Sequence, residues 1–412
     1  MKYIIFGKFS FNHIYFLLYA VFTLIRSILK DNINGNEVEK SFYSFYLVIL
    51  SRLLAIIPFL IYKKLSKSKR EKENQESKRT KSEGDINYIY NDKSNETQKH
   101  LARSTFIVAI FEFLAESLIC IFYFFNDLPN ISSVELGLFT IFNTVTQYFG
   151  SYFILNYHFY KHHYLSFWIN FACAIIFLII DIIEIVKTEI TEYQYYVYIL
   201  LRILKFLLFA IRDNFAKKAL YEEYLSTFTL MLIMGLYEIL FLAVFSAPFV
   251  FLKTKITNKN IFIEFLDFLK GKNLILSIFV FITDFAYEAF LLIIIDRFSP
   301  SHLPLAFLLS SFLYNLYFLI NQYIKNYVVS YYIYLKFAFY VILFIAAMIH
   351  NEVIIINKCG FNKSTKMFLD MKLNEEIKEY KLSVDEDETE FDNQITLNEK
   401  TLSMEDIISV DL

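Results

Sequence analysis

The chain has 412 residues, 56% of them hydrophobic and 19% aromatic, with a formal net charge of −2 and only 8 Gly and 5 Pro. Its mean hydropathy is +0.43, and its apolar residues fall in blocks of about 20, enough to carry a helix across roughly 30 Å of hydrocarbon. That balance excludes an ordinary soluble globular domain and reads as a polytopic membrane protein.

Ten spans are expected in chain order, at 11–30, 42–63, 104–125, 136–157, 164–186, 195–216, 226–252, 274–296, 301–324 and 330–350. Lipid cannot satisfy exposed backbone groups, so each span should be a helix. The runs are solidly apolar and lack the alternation of a membrane barrel. The first run carries no small-residue cleavage site and reads as a retained helix. The fold class expected is therefore all-α and polytopic.

Between the spans, segment 64–101 is basic and too polar to fold alone, so disorder is expected there. Segment 253–273 places Ile261, Phe262, Phe265, Leu266 and Leu269 on one face, the pattern of an interfacial amphipathic helix. The residues from 351 form a flexible acidic tail. Lys and Arg favour cytoplasmic loops, and the basic 64–101 segment and the Lys161 turn share a side if both termini are cytoplasmic. The five Lys of 253–273 run against that topology. Cys120, Cys173 and Cys359 are too scattered for a disulfide framework or a zinc motif, and the first two read as buried thiols.

The chain also resembles itself. FIVAIFEFLAES (106–117) aligns with SIFVFITDFAYEA (277–289), placing Glu112 on Asp284 and Glu116 on Glu288. Lys30-Asp31-Asn32-Ile33 matches Arg212-Asp213-Asn214-Phe215, and PFLIYK from Pro58 matches PFVFLK from Pro248. Lys161 and Ser166 match Lys325 and Ser330. Five spans per half force the second half through the membrane upside down, giving a 5+5 inverted repeat. The expected division is 1–187, 188–350 and the tail 351–412.

Charged groups at membrane depth mark the candidate site. A charge at a helix centre costs about 2.5–3.5 kcal/mol on insertion scales, so Glu112, Glu116, Asp284 and Glu288 should face the interior. Facing carboxylate pairs can bind a cationic or hydroxyl-rich solute, or carry a proton. They can equally be hydrogen-bonded struts. Glu238 is a lone acid in span seven. Asn143 and Gln147 share a face of span four, and Asn315, with Ser310 and Ser311, is their counterpart in span nine. Among the cations Arg52, Arg202 and Lys205, the last two are expected to snorkel outward. Pro300 and Pro304 mark a helix start, which Ser299 or Ser301 can cap.

His158, His162 and His163 follow the H-x3-H-H spacing of an iron-binding histidine box in membrane desaturases. Such enzymes spread many more ligands over several boxes, whereas His13, His100, His302 and His350 stand isolated in the sequence. The turn therefore reads as a basic hairpin, and no metal is expected. No Walker A sequence or Gly-rich phosphate loop is present, and no cofactor is expected.

The ten-span pattern, with YHFYKHHYLSF (157–167), GLYEILF (235–241) and DRFSPSHLPLAFLLSSF (296–312), resembles the drug/metabolite transporter superfamily, which includes nucleotide-sugar, triose-phosphate and chloroquine-resistance-type transporters. The resemblance covers roughly residues 11–350. It implies a cavity lined by spans 1–4 and 6–9, with spans 5 and 10 peripheral. The function it implies is alternating-access movement of a small polar metabolite: a nucleotide sugar, sugar phosphate, amino acid or organic cation. The partners expected are that solute and the bilayer, not nucleic acid, with a homodimer left open. A receptor, channel or scaffold is the competing class, and a lipid-modifying enzyme would have only the 158–163 turn to offer. The address, endomembrane (Golgi or vacuole) or plasma membrane, is not encoded in any motif.

Overall fold

The computed structural model describes residues 4–6, 13–33, 37–61, 63–64, 90–125, 135–187, 193–222, 225–251, 272–298, 300–324, 331–356, 365 and 372. The amphipathic reading of 253–271, the basic residues 65–89, the loops 126–134 and 188–192, Ser299, Lys325, Ser330, Cys359 and most of the acidic tail lie outside the described residues. By internal contacts the chain divides into Met1–Phe361 and Asn362–Leu412. The helices and strands named below all belong to the first unit.

The apolar runs are helices, as the backbone's need for internal hydrogen bonds in lipid requires. In order they are α1 (Ile14–Asp31), α2 (Glu37–Ser51), α3 (Tyr90–Phe125), α4 (Glu135–Ile154), α5 (Lys161–Lys187), α6 (Tyr193–Glu222), α7 (Thr227–Phe251), α8 (Lys272–Arg297), α9 (Leu303–Ile324) and α10 (Tyr331–His350). Among the described residues, five segments are long and apolar enough to cross a bilayer: Phe42–Ile61, Ala102–Phe122, Thr227–Ala247, Asn273–Arg297 and Pro300–Asn321. Ser226 Oγ accepts the backbone N–H of Thr229 at 3.2 Å, an N-cap that starts α7.

Three features depart from the sequence reading. Helix α3 begins at Tyr90, so residues 90–101 are helical rather than disordered. Extending an existing helix adds one hydrogen bond per residue fixed, and the apolar part of α3 supplies the nucleus. Helix α2 passes at Arg52–Ala55 into a 3-10 turn before continuing over 56–61. Two short strands were not foreseen. β1 (Ile4–Phe6) and β2 (Ile354–Ile356) pair antiparallel in the register Ile4↔Ile356, Ile5↔Ile355 and Phe6↔Ile354. Their β-branched residues are the only local signal.

The packing inverts that of a soluble protein. Val244 is 77% exposed and Phe153 70%, while Arg52, at 1%, is among the largest fully buried side chains. The main core gathers Phe16 and Tyr19 of α1, Phe177 of α5, Met231 and Met234 of α7, Leu291 and Leu292 of α8, and Tyr340 of α10. Small residues sit where helices meet, among them Ala109, Ala216, Ala306 and Ala347, each at most 2% exposed. Between membrane helices close van der Waals approach supplies much of the attraction. Cys120 and Cys173 are buried thiols, as expected.

The helices pair α3 on α6, α1 on α8, α4 on α6, α1 on α9, α3 on α7, α2 on α8, α2 on α3, α7 on α8, α4 on α5 and α9 on α10. In addition α5 packs on α10, α4 on α9, α2 on α7, α6 on α8, α6 on α7 and α8 on α9.

Candidate functional site: a buried ion network

The interior of this bundle is charged. Arg52, at the break in α2, donates from Nη2 to Glu112 Oε1 of α3 at 2.6 Å and from Nη1 to Glu238 of α7. Glu288 of α8 lies 3.4 Å from the same guanidinium. From α6, Arg212 donates to Glu112 and pairs with its neighbour Asp213 at 2.5 Å. It also stands 3.9 Å from Glu288. Gln147 of α4 donates its amide N–H to Asp213. One guanidinium from each half of the chain thus reaches Glu112 and Glu288.

Two satellites flank this centre. Asp284 of α8, fully buried, takes a hydrogen bond from Arg26 of α1 and lies 3.4 Å from Lys30. Arg26 also covers the Tyr287 ring at 4.5 Å. Glu116 of α3 accepts from Lys205 of α6 at 2.8 Å.

The four paired acids of the repeat therefore face the interior, and each meets a cation. Glu112, Glu238, Asp284 and Glu288 are buried, and Glu116 is partly so. Leaving such charges unpaired costs several kcal/mol per ion, which is why every one has a partner. Asn143 is buried on the α4 face that carries Gln147, with its carbonyl oxygen unpartnered among the described residues. Asn315 does not join the network. Its amide donates to Ser311 O of its own helix at 2.7 Å, the local bond open to an Asn with no facing partner.

The expectation for Lys205 is corrected, since it turns inward to Glu116. Arg202 folds back instead, donating to Tyr198 Oη at 2.9 and 2.5 Å and lying over that ring. Arg26, Arg212 and Asp213 were not singled out as site residues. The Arg212-Asp213 dipeptide was visible only as a repeat landmark, and Arg26 precedes Lys30 by four positions on one helical face, a spacing that could have flagged it.

Four histidines regarded as hairpin or isolated residues also meet. His162, His163, His302 and His350 form one cluster at the helix ends. Among the described residues no three His, Cys, Asp or Glu side chains are placed to hold a metal ion. His158 is exposed in the turn.

The chain matches no protein-family model and no curated protein. Its apolar helices and lipophilic exterior make it a helical integral membrane protein.

Proposed function

We propose that the chain is a secondary transporter of the drug/metabolite type, with ten crossings in a 5+5 inverted repeat and both termini cytoplasmic. Its solute is a small polar organic metabolite, moved by alternating access. The observation that carries this reading is the ion network, with charges at membrane depth contributed by α1, α2, α3, α6, α7 and α8. Intramembrane ionisable groups that face a bundle interior mark solute and proton pathways.

Most of the helix packing supports the repeat, with α6–α7, α6–α8 and α8–α9 the unmatched pairs. Adding five to each helix number turns α1–α9 into α6–α4, α2–α8 into α7–α3, α2–α3 into α7–α8 and α4–α5 into α9–α10. The pairs α5–α10, α4–α9 and α2–α7 map onto themselves. Ion pairs follow the same rule, because the sequence repeat equates Lys30 with Arg212 and Asp284 with Glu112. Lys30–Asp284 and Arg212–Glu112 are then one contact made twice, each time between halves. An even number of crossings agrees with β1 and β2 being paired, since that pairing brings the segments before α1 and after α10 together.

In this mechanism the two halves rock about the network, and the contacts between them rearrange as a solute or protons compete for the carboxylates. Arg52 and Arg212 hold Glu112 and Glu288 in place while the site is closed. The test is uptake of a labelled-solute panel by the purified protein in proteoliposomes. Saturable exchange is expected, with Glu112→Gln combined with Asp284→Asn lowering it at least about tenfold, the loss that removing one essential charge contact of ~1.4 kcal/mol produces. Unchanged exchange with unchanged pH dependence would remove the acids from the mechanism. An ohmic conductance in place of saturable exchange would make the protein a channel.

A further inference from the structure

The histidine cluster shares no residue with the ion network and lies where the ends of three helices meet. His162 and His163 occupy the first turn of α5, His302 ends the 3-10 turn that leads into α9, and His350 is the last residue of α10. Ring centroids are 4.0 Å apart for His162–His163, 4.5 Å for His163–His350 and 5.1 Å for His302–His350. His162, His163 and His350 are buried, and both ring nitrogens of His350 lack a hydrogen-bond partner among the described residues.

His163 does a specific task. Its Nδ1 accepts the backbone N–H of Tyr160 at 3.1 Å, the reach-back from the third helical position to the N-cap that Glu or Gln makes in a capping box. That acceptor must be an unprotonated nitrogen. The first turn of α5 contains no acid, and the positive end of the helix dipole opposes a cation there. Burial, then His162 and His302, hold the His163 pKa down at about 2.

Several groups among the described residues face the cluster from neighbouring elements. Glu352, just past α10, places Oε1 3.4 Å from His162 Nε2. From α4, the Tyr148 ring stands edge-on to His350 at 4.8 Å. Tyr157 and Tyr160 line the turn, with burial pushing the Tyr157 phenol up to about 12 and the Tyr160 phenol upward as well, so both are neutral. Lys161 is exposed, Ser301 Oγ sits 3.4 Å from His302 Nδ1, and His13 at the start of α1 packs on Phe298. Among the described residues, Glu352 is the carboxylate that stands beside the cluster, at His162.

We propose that this cluster is an acid-sensitive joint: neutral imidazoles close the ends of α5, α9 and α10 on one another, and proton uptake uncaps α5 and parts them. A proton on His163 Nδ1 abolishes the cap acceptor and sets a cation among three close imidazoles at a helix N-terminus. The closed form disfavours the charged imidazole, so its stability is complete above the ordinary histidine pKa near about 6.5 and declines as pH falls below it. Opening grows about tenfold per pH unit for each imidazole released. Because no three ligating side chains converge on a point among the described residues, a proton is favoured over a metal ion. The joint stands independently of the transport reading.

Hydrogen exchange of the full-length protein in lipid nanodiscs, from about pH 7.5 to about pH 5 and corrected for intrinsic rates, tests it. The amides of 161–164 and 349–353 are expected to be protected at the upper pH and to open about tenfold more per unit below ~6.5. His163→Gln keeps a cap acceptor without a titrating group and should flatten that slope. His350→Phe keeps a ring against Tyr148 and should reduce it. A flat wild-type profile, or an unchanged slope in both variants, overturns the joint. Zinc that slows exchange of these amides in the wild type alone, at the upper pH, overturns it in favour of a metal site.

Discussion

Arg52 concentrates the chemistry of this bundle. Its guanidinium is 1% exposed and touches acids from three helices, Glu112, Glu238 and Glu288. Removing one member of a buried charge cluster strands the others and costs about 3–5 kcal/mol. Arg52→Met should therefore lower stability by that order in thermal unfolding of the detergent-solubilised protein. Arg52→Lys should cost less, because one ammonium keeps a charge but cannot span two carboxylates as the planar fork does. Glu288, held at 3.4 and 3.9 Å, is the loosest of the three acids, and Glu288→Gln should be the mildest of these changes. A Met variant as stable as the wild type would show that the carboxylates find other partners.

At the scale of elements, the break in α2 is what brings Arg52 to the centre. The 3-10 turn Arg52–Ala55 interrupts a run that hydropathy reads as one continuous span, and such interruptions mark strain or a hinge. Gly235 of α7 makes room for it. A Cβ at Gly235 would stand 3.0 Å from Cβ of Arg52 and 3.6 Å from its carbonyl carbon. Gly235→Val should cost about 1–3 kcal/mol by overpacking and displace the guanidinium from Glu238. The paired readouts are thermal stability and the protection of α2 amides around Arg52. Helix positions were legible in the sequence, because apolar runs of membrane length have no other stable conformation in lipid. The α2 break was not, since nothing in Arg52-Leu53-Leu54-Ala55 breaks a helix by itself and the interruption packs on Gly235, far away in sequence.

For the whole molecule, the β1–β2 pair closes the fold. Ile4–Phe6 and Ile354–Ile356 are hydrogen-bonded to each other, so the segments flanking the first and last helices occupy one side of the protein. Tags placed at the N-terminus and after residue 356 should be equally accessible to protease in sealed vesicles. Protection of one and cleavage of the other would be incompatible with the strand pair. The histidines give a comparable lesson. His302 and His350 stand far from the 158–163 turn in sequence, and only the convergence of three helix ends makes a cluster of them.

From residue types and spacing alone it follows that the chain is helical and membrane-embedded, and that Glu112, Glu116, Asp284 and Glu288 must be sheltered. Both follow from the local cost of exposing polar groups to hydrocarbon, which depends on residue type and spacing alone. Tertiary structure decided which cations shelter them. Arg26 lies 258 residues from Asp284, and Arg52 and Arg212 lie 60 and 100 residues from Glu112, separations that carry no periodicity to read. Helix adjacency also decided that Lys205 turns inward while Arg202 folds back on its own helix, because a long side chain at either position can snorkel or pair. Only the neighbouring α3, with Glu116 waiting, settles the choice for Lys205.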